Sequence, residues 1–375
     1  MYENSTMEKK TRICITGGHL TPALAVVDEI RRVHPNWEMM FIGRTYALEQ
    51  DTQISREYQE IKKRNIRFFP IAAGRFRRDI SLRALLATAK IPVGLIQSFW
   101  YILREHPQCI LSFGGYIGLP VAISGWLLGI PVVTHEQTHT LGIANRLVLP
   151  FVEFSLLSYE DTKHAQIEKS HFTGLPMRQE ITHPSRTLSF SIPPRLPMIY
   201  ITGGSTGAVS MNEFLFPIIH SLVEHGVVIH QTGPHSIEKA KEIKQTLPVK
   251  YRARYIPISY IEAKDVGWIM HHMTLLVGRA GGNTVAETAL VHKPAVFIPL
   301  PWSGQHEQEQ NAHWYEKIGT VYVVDQEKDR PEDIKNNILL LLEKKPNKIH
   351  IESIQDKAAT NIIKYIELLV GDNEK

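Results

Sequence analysis

Short apolar runs that end in glycine alternate with amphipathic helical patterns along this chain, and the alternation starts twice. Arg12–Gly18 (RICITGG) is a β-rich run ending in a glycine pair, and Pro197–Gly204 (PMIYITGG) is a second one. A helical pattern follows each of them. A strand, a glycine-rich turn and an amphipathic helix form the opening unit of a nucleotide-binding α/β domain. The pattern therefore predicts two similar α/β domains in tandem.

Other short apolar runs predict the remaining strands. They are Glu38–Arg44, Cys109–Gly115, Pro131–Glu136 and Phe154–Tyr159 in the first half, and Val227–Gly233, Thr274–Gly282 and Pro294–Pro301 in the second. Helical patterns separate them, which favours parallel sheets with right-handed crossovers.

A polar linker that begins near Thr173–Arg178 separates the two halves. We predict a first domain over residues 1–176 and a second over residues 177–352. A last amphipathic segment, IQDKAATNIIKYIELLV, predicts a terminal helix within residues 353–375 that packs back on the first domain.

The composition is that of an ordinary globular protein. Among 375 residues, 42 lysines and arginines face 38 aspartates and glutamates, a formal charge of +4. This near-balance argues against an obligate nucleic-acid coat. Cys14 and Cys109 are too few for a disulfide framework or a cysteine-rich zinc site. We see no secretory signal and no apolar stretch long enough to span a membrane, so we expect a cytoplasmic protein unless it lies on a membrane surface.

The first glycine turn, Thr16–His19, is a candidate anion site. Glycines let the backbone approach a ligand, and the free N–H groups of a helix start favour a negative charge. His19 could accept a hydroxyl proton near pH 7, or it could simply cap the helix start. Neither glycine cluster is the full dinucleotide fingerprint, and no Walker A sequence is present.

A third glycine-rich turn lies in Gly278–Pro294 and places Thr284 and Glu287 at a helix start. Glu287 could bind the hydroxyls of a ribose, or the two residues could form a capping box. The amide-rich loop Pro299–Ala312 follows the next predicted strand. It suits hydrogen bonding to sugar hydroxyls, although a solvated loop would look the same.

A basic and aromatic segment precedes the third predicted strand of the first half, Cys109–Gly115. Arg75–Asp79 is rich in arginine, and Leu82–Arg104 has a long apolar face with the cluster Phe99–Tyr101. Such a segment can rest on an anionic bilayer without crossing it, or it can be a core helix. There is no DxD pair and no HxxxH pair on a predicted helix, so we expect no protein-held metal.

Taken together, these segments are similar to the MurG family within glycosyltransferase family 28, bacterial enzymes that add N-acetylglucosamine to lipid I. The similarity runs in order over nearly the whole chain. It is carried by TGGHLTPALA, SFGGYIGLPVAISGWLLGIPVVTHEQ, GIANR, TGLPMR, GGSTGA, HQTG, RAGGNTVAE and QEQNA.

The resemblance implies an α/β protein with a GT-B fold, in which two Rossmann-like domains face a cleft. It implies that the C-terminal domain binds UDP-N-acetylglucosamine and that the N-terminal domain takes the undecaprenyl-linked lipid I. The implied reaction is an inverting transfer to the muramyl 4-hydroxyl, which forms lipid II for peptidoglycan synthesis. It implies a peripheral protein at the cytoplasmic face of the cell membrane, with no cofactor and no nucleic acid.

By the same resemblance, His19 is the catalytic base. The substrate-binding positions that it implies are Thr16, Gly17, Gly18, Arg178, Ser205, Ile261, Gly282, Asn283, Thr284, Val285, Ala286, Glu287 and Gln308. In this set, Ser205 belongs to the phosphate loop and Arg178 stabilises charge near the donor. Glu287 binds the ribose, Ile261 contacts the uracil and Gln308 contacts the donor sugar.

Two departures from the family leave the acceptor open. Ile-Cys-Ile precedes Thr16 where the family has a longer glycine-rich loop, and Thr138 stands where the family has an asparagine after HEQ. A related enzyme that uses another lipid acceptor, such as a diacylglycerol, is therefore one alternative. A UDP-sugar epimerase of similar two-domain architecture is another alternative. It differs from a transferase in that it would isomerise the sugar without a lipid.

Overall fold

The structure is a computed structural model that describes residues 10–46, 54–72, 82–204, 207–301, 306–344 and 357–371, with the backbone alone for 82–91. The chain divides into two compact units. Unit 1 contains Met1–Pro176 and Gln355–Lys375, and unit 2 contains Met177–Ile354.

Within its described residues, unit 1 has a parallel sheet of seven strands in the order β3-β2-β1-β4-β5-β6-β7. The strands are β1 (Arg12–Thr16), β2 (Glu38–Gly43), β3 (Arg67–Pro70), β4 (Cys109–Ser112), β5 (Val132–Glu136), β6 (Phe154–Leu157) and β7 (Ser170–Phe172). The helices are α1 (Leu20–Val33), α2 (Arg56–Lys63), α3 (Leu82–Glu105), α4 (Gly115–Leu127), α5 (Ile143–Val148), the 3₁₀ turn Leu149–Phe151, and α15 (Ala358–Gly371).

The sheet of unit 1 is buried on both faces. Successive strand residues point to opposite sides, so each face has its own core cluster. Ile13 and Ile15 of β1 belong to one core cluster together with residues of α1 and α15. Cys14, between them, belongs to the other cluster, which contains Ile102 of α3 and Val121 of α4. Both cysteines of the chain are buried and free.

The terminal helix α15 completes the first of these clusters. Ile362 and Ile366 of α15 are fully buried in it. Polar contacts fix the same helix at both ends: Thr360 Oγ1 donates to Glu29 of α1 over 2.6 Å, and a 2.6 Å contact joins His34 to Glu367. The last segment of the chain is thus part of the core of unit 1.

Within its described residues, unit 2 has a parallel sheet of six strands in the order β10-β9-β8-β11-β12-β13. The strands are β8 (Met198–Thr202), β9 (Val227–Gln231), β10 (Tyr255–Ile258), β11 (Leu275–Gly278), β12 (Ala295–Phe297) and β13 (Val321–Val323). The helices are α6 (Gln179–Thr182), α7 (Val209–Leu215), the 3₁₀ turn Phe216–Ile218, α8 (Ile219–His225), α9 (Ile237–Thr246), α10 (Val249–Arg252), α11 (Ala263–His272), α12 (Gly282–Leu290), α13 (Glu307–Glu316) and α14 (Pro331–Glu343).

The structure confirms the two parallel, Rossmann-like sheets that the sequence predicts, and corrects the element boundaries. Most predicted strands ran one to four residues past the observed ends, into the turns that follow them, whereas β5 ends at Glu136 as predicted. The helix predicted after β8 is interrupted at Phe216–Ile218, where Pro217 cannot donate a backbone hydrogen bond. Within the part of the chain that the structure describes, no helix is both long and apolar enough to cross a membrane.

Candidate active site

The carboxyl ends of β1 and β4 meet where the strand order of unit 1 reverses. Ligands bind at such reversals in open α/β sheets. Gly18, after β1, has a φ of +150°, and a side chain there would place its Cβ 2.3 Å from the carbonyl oxygen of Gly114, after β4. The two glycine turns therefore pack backbone against backbone. Thr16 is buried beneath them and donates a 3.2 Å hydrogen bond to Ser112.

His19 stands at the N-cap of α1 and is exposed to solvent. Its side chain makes no capping hydrogen bond, so the interpretation of His19 as a helix cap is wrong. Although the residue is open to solvent, the protein around its imidazole displaces enough water to lower the pKa of His19, and the Glu136 carboxylate opposes this effect. The neutral imidazole, which is the proton acceptor, is thereby favoured.

Glu136 ends β5, one strand away from the reversal. Its Oε1 accepts from the Thr138 backbone N–H over 3.1 Å and lies 2.9 Å from the Thr138 hydroxyl. Its Oε2 accepts from Gly142 N–H over 2.8 Å and from Asn145 Nδ2 over 2.9 Å. The carboxylate is thus fixed on both oxygens, and it acts electrostatically on His19. Thr138, which stands where the family has an asparagine, helps to hold the Glu136 carboxylate.

His135 and His139 have the HExxH spacing of zinc proteases. That motif places both imidazoles on one face of a helix, whereas here His135 lies in β5 and His139 in the loop beyond it. Burial lowers the pKa of His135 to about 4, and His139 stacks on Tyr159 and pairs with Asp161. Among the described residues, no group of three or more ligating side chains could hold a metal.

Glu57 of α2 lies beneath the first glycine turn. A Cβ added at Gly17 would stand 2.4 Å from Glu57 Oε1, so the carboxylate fills the space that a side chain at Gly17 would need. Burial raises the pKa of Glu57 to about 7, against a 3.1 Å hydrogen bond from Arg44 N–H. Any side chain at position 17 would therefore have to displace the Glu57 carboxylate.

In unit 2, the strand order reverses between β8 and β11. The glycine turn after β8 is anchored from the neighbouring strand, because Gln231 Nε2 donates to the Gly204 carbonyl over 2.7 Å. Gly207 has a φ of +76°, and a Cβ there would meet the Thr232 carbonyl oxygen at 2.4 Å. Ser205, the predicted phosphate-loop serine, lies outside the described residues.

The turn after β11 leads into α12, whose N-cap is Gly281. Thr284 is therefore the third residue of the helix and not its cap, and the predicted Thr284–Glu287 capping box is wrong. No side chain accepts a capping hydrogen bond from the first backbone N–H groups of α12, at Gly282 and Asn283. Asn311 of α13 supports the turn by donating from Nδ2 to the Ala280 carbonyl over 3.1 Å.

The structure joins two predicted substrate-binding residues in an ion pair. Arg178 Nε donates to Glu287 Oε1 over 2.8 Å, and Arg178 Nη2 donates to Glu287 Oε2 over 2.6 Å. The Glu287 side chain is almost completely buried in this pair, with 5% exposure. Such a two-point contact fixes the carboxylate orientation. Arg178 thus acts on Glu287, a relation that sequence spacing does not reveal.

A cavity of about 280 Å³ opens between the turns after β8 and β11. It is lined by Gly203, Gly204, Gly207, Ala208, Ser210, Arg279, Gly281, Thr284, Leu300 and Gln308. Gln308 is held in place because its Oε1 accepts from Leu300 N–H over 3.0 Å. Val285 and Ala286 are buried in α12, and Ile261 is buried before α11 without lining the cavity.

Three functional candidates escaped the sequence analysis. Glu136 is the last residue of β5 and Arg279 directly follows β11, and a charged residue at the carboxyl end of a buried strand could have marked both. Glu57 lies inside α2, and no local pattern distinguishes it from a surface glutamate.

Comparison with known proteins gives the family. Residues 14–154 match the glycosyltransferase family 28 N-terminal domain and residues 198–366 match its C-terminal domain. A relative from Treponema denticola is named UDP-N-acetylglucosamine–N-acetylmuramyl-(pentapeptide) pyrophosphoryl-undecaprenol N-acetylglucosamine transferase. It is 30% identical over 328 residues, which cover 84% of this chain and 83% of the relative. A relative of the same name from Clostridium botulinum is 28% identical over 95% of this chain and 96% of its own.

Solved structures show the same fold. Acinetobacter baumannii MurG superposes with a TM-score of 0.68 at 23% identity, covering 96% of this chain and 99% of that one. The UDP-GlcNAc 2-epimerase of Methanocaldococcus jannaschii, in complex with UDP-GlcNAc and UDP, superposes with a TM-score of 0.62 at 14% identity, covering 96% and 99%. Fold alone therefore does not separate a transferase from an epimerase.

The sequence matches make that separation: this chain belongs to glycosyltransferase family 28. It is a transferase with a GT-B fold, and within the family it groups with the MurG proteins.

Proposed function

We propose that this enzyme transfers N-acetylglucosamine from UDP-N-acetylglucosamine to the muramyl 4-hydroxyl of the undecaprenyl-linked lipid I, with inversion, and so makes lipid II for peptidoglycan synthesis. Unit 2 would bind the donor and unit 1 the acceptor. The observation that carries the proposal is the cavity at the strand reversal of unit 2. It combines close-approach glycines, an uncapped helix start and a fixed glutamine, all suited to a nucleotide sugar.

The donor would lie with its diphosphate at the glycine turns and the start of α12. Glu287 would accept hydrogen bonds from the ribose hydroxyls, in the orientation that Arg178 imposes. Gln308 would donate to the sugar through the amide nitrogen, because its oxygen already accepts from Leu300. Ile261 is buried, so it would contact the uracil only through its backbone or after a local shift.

The acceptor hydroxyl would attack the anomeric carbon while the bond from that carbon to the β-phosphate oxygen breaks. His19 would take the hydroxyl proton, and the electron pair of the broken bond would leave with UDP. A single displacement inverts the configuration at the anomeric carbon. The lowered pKa of His19 keeps the imidazole neutral and ready to accept that proton.

We further propose that unit 1 rests on the cytoplasmic face of the membrane through α3. Its exposed apolar residues Val93, Ile96, Trp100 and Leu103 recur at the spacing of one helix face, and Ile96 is 70% exposed. Arg104 lies over the Trp100 ring at 5.4 Å, which places a cation beside the apolar face. The predicted basic segment Arg75–Asp79 lies outside the described residues.

The test is to incubate purified protein with UDP-N-acetylglucosamine, labelled in the sugar, and lipid I in detergent. Label in a product with the mobility of lipid II is expected. The His19→Ala variant should lose most of this activity, and the exposed His220→Ala on α8 is the matched control.

Other outcomes would contradict parts of the proposal. Label that enters diacylglycerol and not lipid I would establish the alternative acceptor. Label that stays on UDP but appears in an epimerised sugar, without any lipid, would establish an epimerase. A folded His19→Ala enzyme with near-normal turnover would remove His19 as the base.

A further inference from the structure

Arg279 is a buried cation that makes no ion pair with the residues that the structure describes. It follows β11 directly, lines the cavity of unit 2 and is only 6% exposed. Every hydrogen bond that its guanidinium makes goes to a neutral group. Nη1 donates to the Ile298 and Pro299 carbonyls and to Gln326 Oε1 over 2.9, 3.1 and 3.0 Å, and Nη2 donates to Ser210 Oγ over 2.8 Å.

One nitrogen of the guanidinium has no acceptor among the described residues. Arg279 Nε is shielded from solvent and has no hydrogen-bond partner among the described residues. In Arg178 of the same unit, Nε and Nη2 share the two oxygens of Glu287. In Arg279, Nε has nothing and Nη2 has a single hydroxyl. Arg178 is thus paired with a carboxylate through two nitrogens, whereas Arg279 has no carboxylate partner among the described residues.

An unpaired buried charge is costly, because the protein interior screens it poorly. The cost is visible in the group itself, since burial lowers the pKa of Arg279 to about 10, with no neighbouring charge contributing. At neutral pH the guanidinium nevertheless stays protonated. A positive charge is therefore kept beside the cavity, held by four neutral acceptors that also fix its position.

We propose that the donor diphosphate is the anion that completes this arrangement, so that Arg279 is a donor-binding residue for the phosphates. The inference rests on the proposed function, since it assigns the compensating charge to the nucleotide of that reaction. The glycine turns and the uncapped start of α12 line the same cavity, so their N–H groups and the guanidinium act on one ligand. UDP gains a negative charge as the glycosidic bond breaks, and Arg279 stabilises that charge as well.

The experiment compares UDP with uridine, two ligands that differ by the diphosphate. Affinities of both are measured by calorimetry for the wild type, Arg279→Gln and Arg279→Met, with folding checked by circular dichroism. We expect each variant to bind UDP roughly 10- to 100-fold more weakly and uridine unchanged, the range for a hydrogen bond to a charged group. Arg279→Gln keeps a side-chain N–H donor that can serve the Ile298 carbonyl. We therefore expect this neutral variant to fold even if Arg279→Met does not.

The matched control is Arg252→Met, which removes an exposed arginine of the same unit whose hydrogen bonds also go to neutral groups, the carbonyls of Leu247 and Gln245. It should leave both affinities unchanged. A thermal melt gives a second readout, in which each protein is compared with and without UDP. UDP should raise the melting temperature of the wild type by more than it raises that of Arg279→Met.

The outcomes separate this inference from the function on which it rests. If the wild type binds neither UDP nor uridine, the donor assignment of unit 2 fails. If the wild type prefers UDP to uridine and a folded, neutral Arg279 variant keeps that preference within about threefold, Arg279 is a structural residue and our inference is wrong. A wild type that binds the two ligands equally also overturns it.

Discussion

His19 combines two properties that a catalytic base needs, access and a neutral ground state. Its side chain is exposed at the start of α1 and makes no capping bond. Its pKa is lowered by the surrounding protein, while Glu136, fixed by hydrogen bonds on both oxygens, pulls in the other direction. The structure thus shows no capping bond from the His19 side chain, and its assignment as the base stays our prediction.

The pH dependence of the reaction follows from the sign of this shift. A base must be deprotonated, so activity is lost as the pH falls through its pKa, and a lowered pKa moves that loss to more acidic pH. We expect the acidic limb of log kcat/KM to lie below 6.5, the ordinary value for histidine. The His19→Ala variant should lose about 10²- to 10⁴-fold in rate.

Initial rates over a pH series, with wild type, His19→Ala and the His220→Ala control, check this. The acidic limb should disappear from the residual activity of His19→Ala and remain in the control. An unchanged limb in His19→Ala would assign the titrating group elsewhere, and Glu57, with a pKa of about 7 beneath the glycine turn, is the next candidate.

At the scale of elements, the sequence predicts the centre of each sheet better than its edges. The four strands without a predicted counterpart are β3, β7, β10 and β13, and these are the four edge strands. Central strands are buried on both faces and give continuous apolar runs, whereas β7 and β13 are half-buried throughout. Of the edge strands, β3 and β7 contain polar residues, whereas β10 (YIPI) and β13 (VYV) are apolar but only four and three residues long.

The sequence likewise predicts some parts of the candidate site and not others. Glycine turns at strand ends are visible in the sequence, because a strand-to-helix transition is a local pattern. The pairing of Arg178 with Glu287 joins positions that are 109 residues apart, and the lack of a charged partner at Arg279 depends on which groups three other segments present to it. Such relations arise only when the chain folds.

Helix α3 carries a prediction of its own. If its exposed face docks on a bilayer, an acidic residue there costs apolar contact and is repelled by anionic lipid. Ile96→Glu and Trp100→Glu should each weaken binding to vesicles of anionic phospholipid by about tenfold or more, and leave UDP affinity unchanged. Vesicle sedimentation measures the first quantity and calorimetry the second.

The control for α3 is Ile167→Glu, because Ile167 is 93% exposed in a loop of the same unit. It introduces the same charge on an exposed isoleucine away from the helix face. If Ile167→Glu weakens vesicle binding as much as Ile96→Glu, the effect is one of net charge and the docking face is not α3.

At the scale of the whole molecule, the chain leaves unit 1 after Pro176, builds unit 2 and returns at Gln355 to finish unit 1. The return makes the stability of unit 1 depend on the last helix of the chain. Ile362 and Ile366 are fully buried against residues of β1 and α1, so truncating them opens cavities in that core. Unit 2 has its own core cluster, to which α15 contributes nothing among the described residues.

We therefore expect Ile362→Ala and Ile366→Ala to destabilise unit 1 by about 2–5 kcal/mol each, while unit 2 keeps its affinity for UDP. Leu368→Ala is the control, because Leu368 lies on the same helix but is 59% exposed. Urea unfolding should show an early transition in the two isoleucine variants alone, and UDP titration in the interval after that transition should still detect binding. Loss of UDP affinity together with the early transition would mean that the two units unfold as one, so that the return of the chain couples the acceptor half of the enzyme to its donor half.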